Sequence, residues 1–167
     1  MIRKARERDL PLLESLVETA ADSCGNRGIC QDTTDTARAH LVAEWRTGTL
    51  YVQESNGKVN GMFALCEKSA QPDTAVRWSN ENANVLENFA VAADGFSRDE
   101  GEKMLRAAQR LAQRKGCDSL RGSTPEGNLR MRRLFARCGF RLAGWILPQE
   151  STQRLFCYEM FLCGQSF

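Results

Sequence analysis

The chain of 167 residues has one histidine, His40, and no Cys-x-x-Cys pair. A structural zinc site needs clustered Cys or His ligands, so this scarcity argues against a resident metal. No window approaches the run of about 20 apolar residues that a membrane-spanning helix requires. The basic start, Met1-Ile2-Arg3-Lys4-Ala5-Arg6, has no apolar stretch behind it, so a signal peptide is not expected either. Excess charge is also missing. A formal net charge of +2 gives no bulk electrostatic reason to expect a nucleic-acid or membrane partner. Internal repeats, low-complexity tracts and linkers are absent.

What is there is ordinary globular composition, 42% hydrophobic and 26% charged, at the length of one domain spanning 1–167. Cys24, Cys30, Cys66, Cys117, Cys138, Cys157 and Cys163 form an odd set with irregular spacing, mostly in apolar runs. Thiols in such settings act as small hydrophobes, which suggests a reducing compartment and hence a cytoplasmic location.

Residues 2–6 alternate apolar and charged positions, as a short half-buried strand does. Asp9 is placed to cap a helix in which Leu12, Leu13, Leu16, Val17 and Ala20 fall at helical spacing, with Pro11 tolerated in its first turn. Gly25 and Gly28 mark 24–30 as a loop, and a second helix is expected over 34–45, stopped by Gly48. The runs 49–55 and 59–67 read as strands joined by Asn56-Gly57, a pair suited to the positive φ values of a tight hairpin. The polar stretch 66–82 reads as a mobile connection, 85–92 as the most apolar strand, and 93–97 as a loop. Met104, Leu105, Ala108, Leu111 and Ala112 form the stripe of the clearest helix, which Gly116 ends. A strand at 117–123, a helix at 128–137 closed by Gly139, and strands at 140–146 and 155–162 complete the order β-α-α-β-β-β-α-β-α-β-β. The strand–helix–strand crossover predicts one parallel pair in an otherwise antiparallel sheet, an α/β fold on a mixed sheet.

Near the C-terminus, Asn128, Met131, Leu134, Phe135, Gly139 and Phe140 keep a defined register across a helix and into the next strand. Packing accounts for the apolar members, because Met131, Leu134 and Phe135 share one helical face, and Gly139 gives the freedom to leave the helix. Asn128 is either the helix N-cap or a ligand contact. Together with the element order, this register resembles the GNAT family of acyl-CoA-dependent N-acetyltransferases along essentially the whole chain. The resemblance implies that Asn128 and Phe135 lie against the cofactor, Phe135 standing where many members carry a tyrosine thought to protonate the departing thiolate.

The resemblance also implies that the strand Leu86-Glu87-Asn88-Phe89-Ala90-Val91 carries a bulge that splays it from its parallel neighbour. Pantetheine would then pair with the backbone edge near Ala90 and Val91, and an amide there would hold the thioester oxygen. An amine with a pKa near ~10 is mostly protonated at neutral pH, so Glu87 is the candidate proton acceptor. A salt-bridged strand glutamate is the alternative.

The family's phosphate loop falls on Phe96-Ser97-Arg98-Asp99-Glu100-Gly101, with Lys103 just beyond, and backbone N–H groups at that helix start would cradle a pyrophosphate. Phe96 and Asp99 replace a basic-or-amide residue and a glycine of the family pattern, while Asp99 and Glu100 also suit the dipole of the helix they begin. Arg130, Arg132, Arg133 and Arg137 face several directions around one helix and read first as a solvated face; the family's placement of the adenosine 3′-phosphate makes Arg98, Lys103 and Arg133 the rival candidates for that group. Trp45, Tyr51 and Trp78 are acceptor-pocket or core aromatics.

The activity this implies is acetyl transfer from acetyl-CoA, without a metal, to a primary amine on a small molecule or a protein. The other reading is the same fold acting as a non-catalytic binding or regulatory module, and its basis is Phe96, Asp99 and Phe135. The last two strands offer either a homodimer surface or further core.

Overall fold

The computed structural model describes residues 1–23, 34–67, 75–92, 98–149 and 151–162. β1 (Ile2–Lys4), β2 (Leu50–Ser55), β3 (Lys58–Cys66), β4 (Ala83–Val91), β5 (Ser119–Pro125), β6 (Arg141–Ile146) and β7 (Leu155–Phe161) form one sheet in the order β1-β2-β3-β4-β5-β7-β6. The expected parallel pair is β4 with β5, and the other pairings are antiparallel. The β2–β3 hairpin turns at Asn56 and Gly57, with φ of 51° and 74°, the left-handed pair that an Asn-Gly turn supplies.

Four helices cover the two faces: α1 (Leu10–Ser23), α2 (Thr34–Arg46), α3 (Arg98–Arg114) and α4 (Leu129–Arg137). Along β2 and β3 the side chains alternate between two cores. Leu50, Val52, Met62 and Ala64 pack with Leu13, Leu16 and Leu41 of α1 and α2. Tyr51, Phe63 and Leu65 pack with Met104, Leu105, Ala108, Leu134 and Phe135 of α3 and α4. Strands buried on both sides need apolar residues at nearly every position, hence the unbroken run Met62-Phe63-Ala64-Leu65. No helix among the described residues is long and apolar enough to cross a membrane.

The N-terminal expectation needs correction. Asp9 does not cap α1 as its flanking residue; it ends a short 3-10 turn (Glu7–Asp9), where its carboxylate accepts the Arg6 backbone N–H at 2.8 Å and an ion pair from Arg3 at 2.7 Å. Arg3 also reaches Glu54 at 2.7 Å, tying β1 and the turn to β2. The Arg3 hydrogen bond holds the Asp9 carboxyl below its usual range, against the effect of burial. Leu12 is exposed, and Leu10 takes the core position instead.

The connection before β4 is likewise anchored over its described part, residues 75–82. Buried Glu159 of β7 accepts hydrogen bonds from the backbone of Ser79 at 2.9 Å and from Ser119 Oγ at 3.0 Å. Arg121 of β5 lies 4.5 Å from the centre of the Trp78 ring and donates to the Asn80 carbonyl. The sequence hid this because Arg121 and Glu159 meet only through strand pairing. The loop expectation for 24–30 and that for 93–97 lie outside the described residues.

Gly122 of β5 lies against the Phe135 ring; a Cβ built there would stand 2.7 Å from Phe135 Cζ. Gly122→Ala should therefore destabilise the fold by about 1–3 kcal/mol, read as a lowered urea midpoint. Trimming the ring in the same chain, with Phe135→Leu, should recover part of that loss. A midpoint unchanged by Gly122→Ala would mean that the ring gives way freely and does not hold this part of β5.

Candidate functional site

β4 and β5 pair from Ala83 with Ser119 to Leu86 with Gly122, and there the ladder ends although β4 continues to Val91 and β5 to Pro125. The strands part at an irregularity. Glu87 faces Ala64 and Ala90 faces Met62, so Asn88 and Phe89 together oppose the single residue Phe63. Asn88 has φ of 47°, in the left-handed region that asparagine tolerates better than most residues. One extra residue resets the alternation of side chains. Leu86, Phe89 and Val91 turn to the α3–α4 core, whereas Glu87 and Ala90 share the face of Ala64 and Met62, under α1 and α2.

The backbone of β4 is set by the same register. Ala92 N–H donates to the Asn60 carbonyl at 2.8 Å, which makes Asn60 and Ala92 a hydrogen-bonded antiparallel pair. Alternation directs the N–H and C=O of the neighbouring Val91 away from β3, towards the gap left by β5. Alternation on β5 turns exposed Ser123 to the same face as Glu87. The gap thus has a backbone edge along β4, with Glu87, Asn88 and Ser123 on its α1–α2 side.

A further residue at this place is Glu44 of α2. Asn88 Nδ2 donates to both of its carboxylate oxygens, at 2.8 Å each. Burial pushes the Glu44 carboxyl up from 4.5 to about 7, helped by the charge of Glu87 and opposed by the Asn88 hydrogen bonds. Cys66, at the end of β3, is pushed up to about 11, mainly by burial and then by Glu44 and Glu87. Sequence reasoning passed over Glu44, yet a signal was present. It stands three residues after buried Leu41 and just before half-buried Trp45, a carboxylate on the inward stripe of its helix.

The other candidates belong to α3, to α4 and to the residues just before each. Phe96 and Ser97 lie outside the described residues. Arg98 is the first residue of α3, Gly101 is buried in the helix's first turns, Asp99 is exposed, and exposed Lys103 lies 3.9 Å from Glu100. Asn128 is the N-cap of α4, its Oδ1 accepting the Met131 N–H at 3.1 Å. Phe135 is a core residue, 1% exposed, with its ring stacked on Tyr158 at 4.9 Å and tilted against Phe140 at 4.8 Å. It supports the strand at the point of parting and does not line a surface.

The Tyr158 hydroxyl lies 3.3 Å from Arg132 Nε, which donates to it, and Arg132 also reaches the Glu126 carbonyl and the face of Phe156. Arg132 is therefore a structural residue, unlike exposed Arg133 and Arg137. Cys138, buried at the far end of α4, is held above the usual thiol range by burial. Tyr51 belongs to the core, stacked on Phe63 at 5.4 Å.

The sequence pattern of the Acetyltransferase (GNAT) family matches residues 13–140 of the chain. A comparison with curated protein sequences gives no match. Among solved structures, a GNAT-family acetyltransferase from Streptococcus agalactiae 2603 superimposes with a TM-score of 0.77 at 16% identity, covering 96% of this chain and 94% of its own. Ribosomal-protein-alanine N-acetyltransferase from Brucella melitensis gives 0.73 at 20% identity, over 97% and 99% of the two chains. yncA from Salmonella typhimurium, solved with its cofactor acetyl-CoA, gives 0.73 at 19% identity, over 100% and 96%. At these identities the likeness shows the fold.

The raised Glu44 carboxyl has a consequence for stability. The folded chain keeps a proton that the unfolded chain releases between pH 4.5 and about 7, so stability falls as pH rises through that window. Glu44→Gln removes this titration. The stability difference between variant and parent should shift in favour of the variant by up to about 3 kcal/mol across the window, measured by urea unfolding at a series of pH values. Parallel pH curves for the two proteins would show that Glu44 is not held protonated by the fold.

Proposed function

The chain belongs to the acetyltransferase (GNAT) family, and from that membership we propose that it transfers an acetyl group from acetyl-CoA to a primary amine by direct attack. The observation that carries this reading is the parting of β4 from β5, with the Val91 backbone turned into the gap and Glu87 on the side facing α1 and α2. The residues present fit acetyl-CoA. The open edge of β4 offers backbone pairing at Val91 for an extended chain, while the same alternation turns the backbone groups of Ala90 to β3 and not to the gap; α3 begins at Arg98 close after that edge, with Asp99 exposed and Lys103 outward. Bound acetyl-CoA would supply the activated thioester.

The chain's own residues have three tasks. The Val91 N–H, turned to the gap, would donate to the thioester oxygen as a fixed dipole. Glu87 accepts the proton of the incoming ammonium group. Arg98, Gly101 and Lys103, with Phe96 and Ser97 before them, form the phosphate end of the site, and Asn128 approaches the cofactor from the head of α4 while its Oδ1 caps the helix. Holding amine and thioester in one cleft provides much of the acceleration without many reactive side chains. The amine belongs to a small molecule or a protein; its recognition falls to α1, α2 and the connection before β4.

A second reading, a non-catalytic binding module on the same fold, draws on Asp99 and Glu100 in the first turn of α3. Calorimetric titration of the reduced protein with acetyl-CoA, CoA and desulfo-CoA separates the two. Binding in the micromolar range is expected for the transferase; no binding at millimolar ligand, with the protein folded, leaves the binding module. Within the transferase reading, Glu87→Gln should lower kcat by about 100-fold near neutral pH and by less at high pH, where the amine sheds its own proton. An unchanged pH–rate profile would remove Glu87 from the reaction.

A further inference from the structure

Glu44 has no part in the reaction as described, yet it is the side chain that holds the extra residue of β4. Its two oxygens take both hydrogens of the Asn88 amide at 2.8 Å, and Asn88 is the left-handed residue at which the strand bulges. Glu87, the residue before it, points to the same layer, because its strand partner Ala64 belongs to the core under α1 and α2. We propose that Glu44 is a positioning residue for Glu87: through Asn88 it ties α2 to the bulge and so fixes the place from which Glu87 leaves the strand. This rests on the reading of Glu87 as the proton acceptor.

A non-glycine residue in the left-handed region persists when its surroundings fix it, and a side chain anchored across to a neighbouring helix does so. Two carboxylates in one partly buried place repel, so the second proton leaves less readily than the first. The groups that act on one another here are Glu44 from α2, Glu87 from β4 and Cys66 from β3, with Lys115 the cation that bears on Cys66. In an ordinary strand, without the extra residue, position 88 would face the α3–α4 core opposite Phe63 and could not meet α2.

The test follows both carboxyls directly, by carbon NMR titration of the full chain labelled at glutamate, with Glu44→Gln and Glu87→Gln supplying the assignments. Glu44→Gln keeps an oxygen for Asn88 and matches the protonated carboxyl; it should leave hydrogen exchange at the amides of 87–91 within about twofold of the parent. Asn88→Gly keeps the left-handed backbone and removes the tie, and should raise the midpoint of Glu44, which loses its donor. It should also speed hydrogen exchange at the amides of 87–91. A Glu44 midpoint that does not move in Asn88→Gly, or unchanged exchange in a folded Asn88→Gly chain, would overturn the proposal. Acetyl-CoA titrations run on the same proteins keep the two ideas apart. Affinity within about twofold of the parent in Glu44→Gln is the expected result, and loss of affinity in that variant would overturn the positioning role in favour of a direct part in cofactor binding. A parent chain that binds no acetyl-CoA would overturn the transferase and, with it, this role for Glu44.

Discussion

The structure turns on the place where two parallel strands stop pairing. Backbone N–H and C=O groups strongly prefer partners, so a strand that leaves its neighbour within a sheet does so against a cost. Here the cost is met from several sides. One residue too many in β4, Asn88, breaks the alternation and bends the strand, and its side chain is secured by Glu44. On β5, Gly122 lets the Phe135 ring press on the backbone where the ladder ends. Behind both strands, the Arg121–Trp78–Glu159 assembly fastens the approach to β4 onto β5 and β7. The gap is thus a built feature, held open by α2 on one face and α4 on the other.

The order of elements was legible because each rests on local chemistry. Asn56-Gly57 names its own turn, Gly116 and Gly139 follow helix ends with φ of 77° and 88°, and the apolar stripe of α3 needs no partner to be recognised. The crossover through α3 then fixed β4 and β5 as the parallel pair. Asp9 was misread because a carboxylate before a helix suits a cap, while its actual partner, Arg3, comes from the strand ahead of it.

The site was legible where it is made of backbone and less so where it is made of side chains. Glu87 and Val91 could be put forward as candidates because the strand that carries them can be found by pattern and resemblance. Glu44 could not be linked to them by any spacing, since 44 residues separate it from Asn88 and the contact exists only after α2 packs on the sheet. Phe135 is the converse case. Its position in the register suggested a cofactor contact, whereas packing makes it a core ring between Gly122, Phe140 and Tyr158.

That packing bears on the chemistry of the proposed transfer. A phenyl ring cannot supply a proton to a leaving thiolate, and the hydroxyl stacked behind it, on Tyr158, is engaged by Arg132. Cys138 lies at the opposite end of α4 from the Asn128 cap, a helix of nine residues and thus roughly 13 Å long. The proposed transfer needs no dedicated acid, because a thiol with a pKa of about 8.5 departs as thiolate at little cost near neutral pH. The harder proton is the one on the amine, whose pKa lies well above neutrality. Two neighbouring carboxylates at the bulge, with a core ring in the position of an acid, suit the proposed reaction, in which that is the proton to be moved.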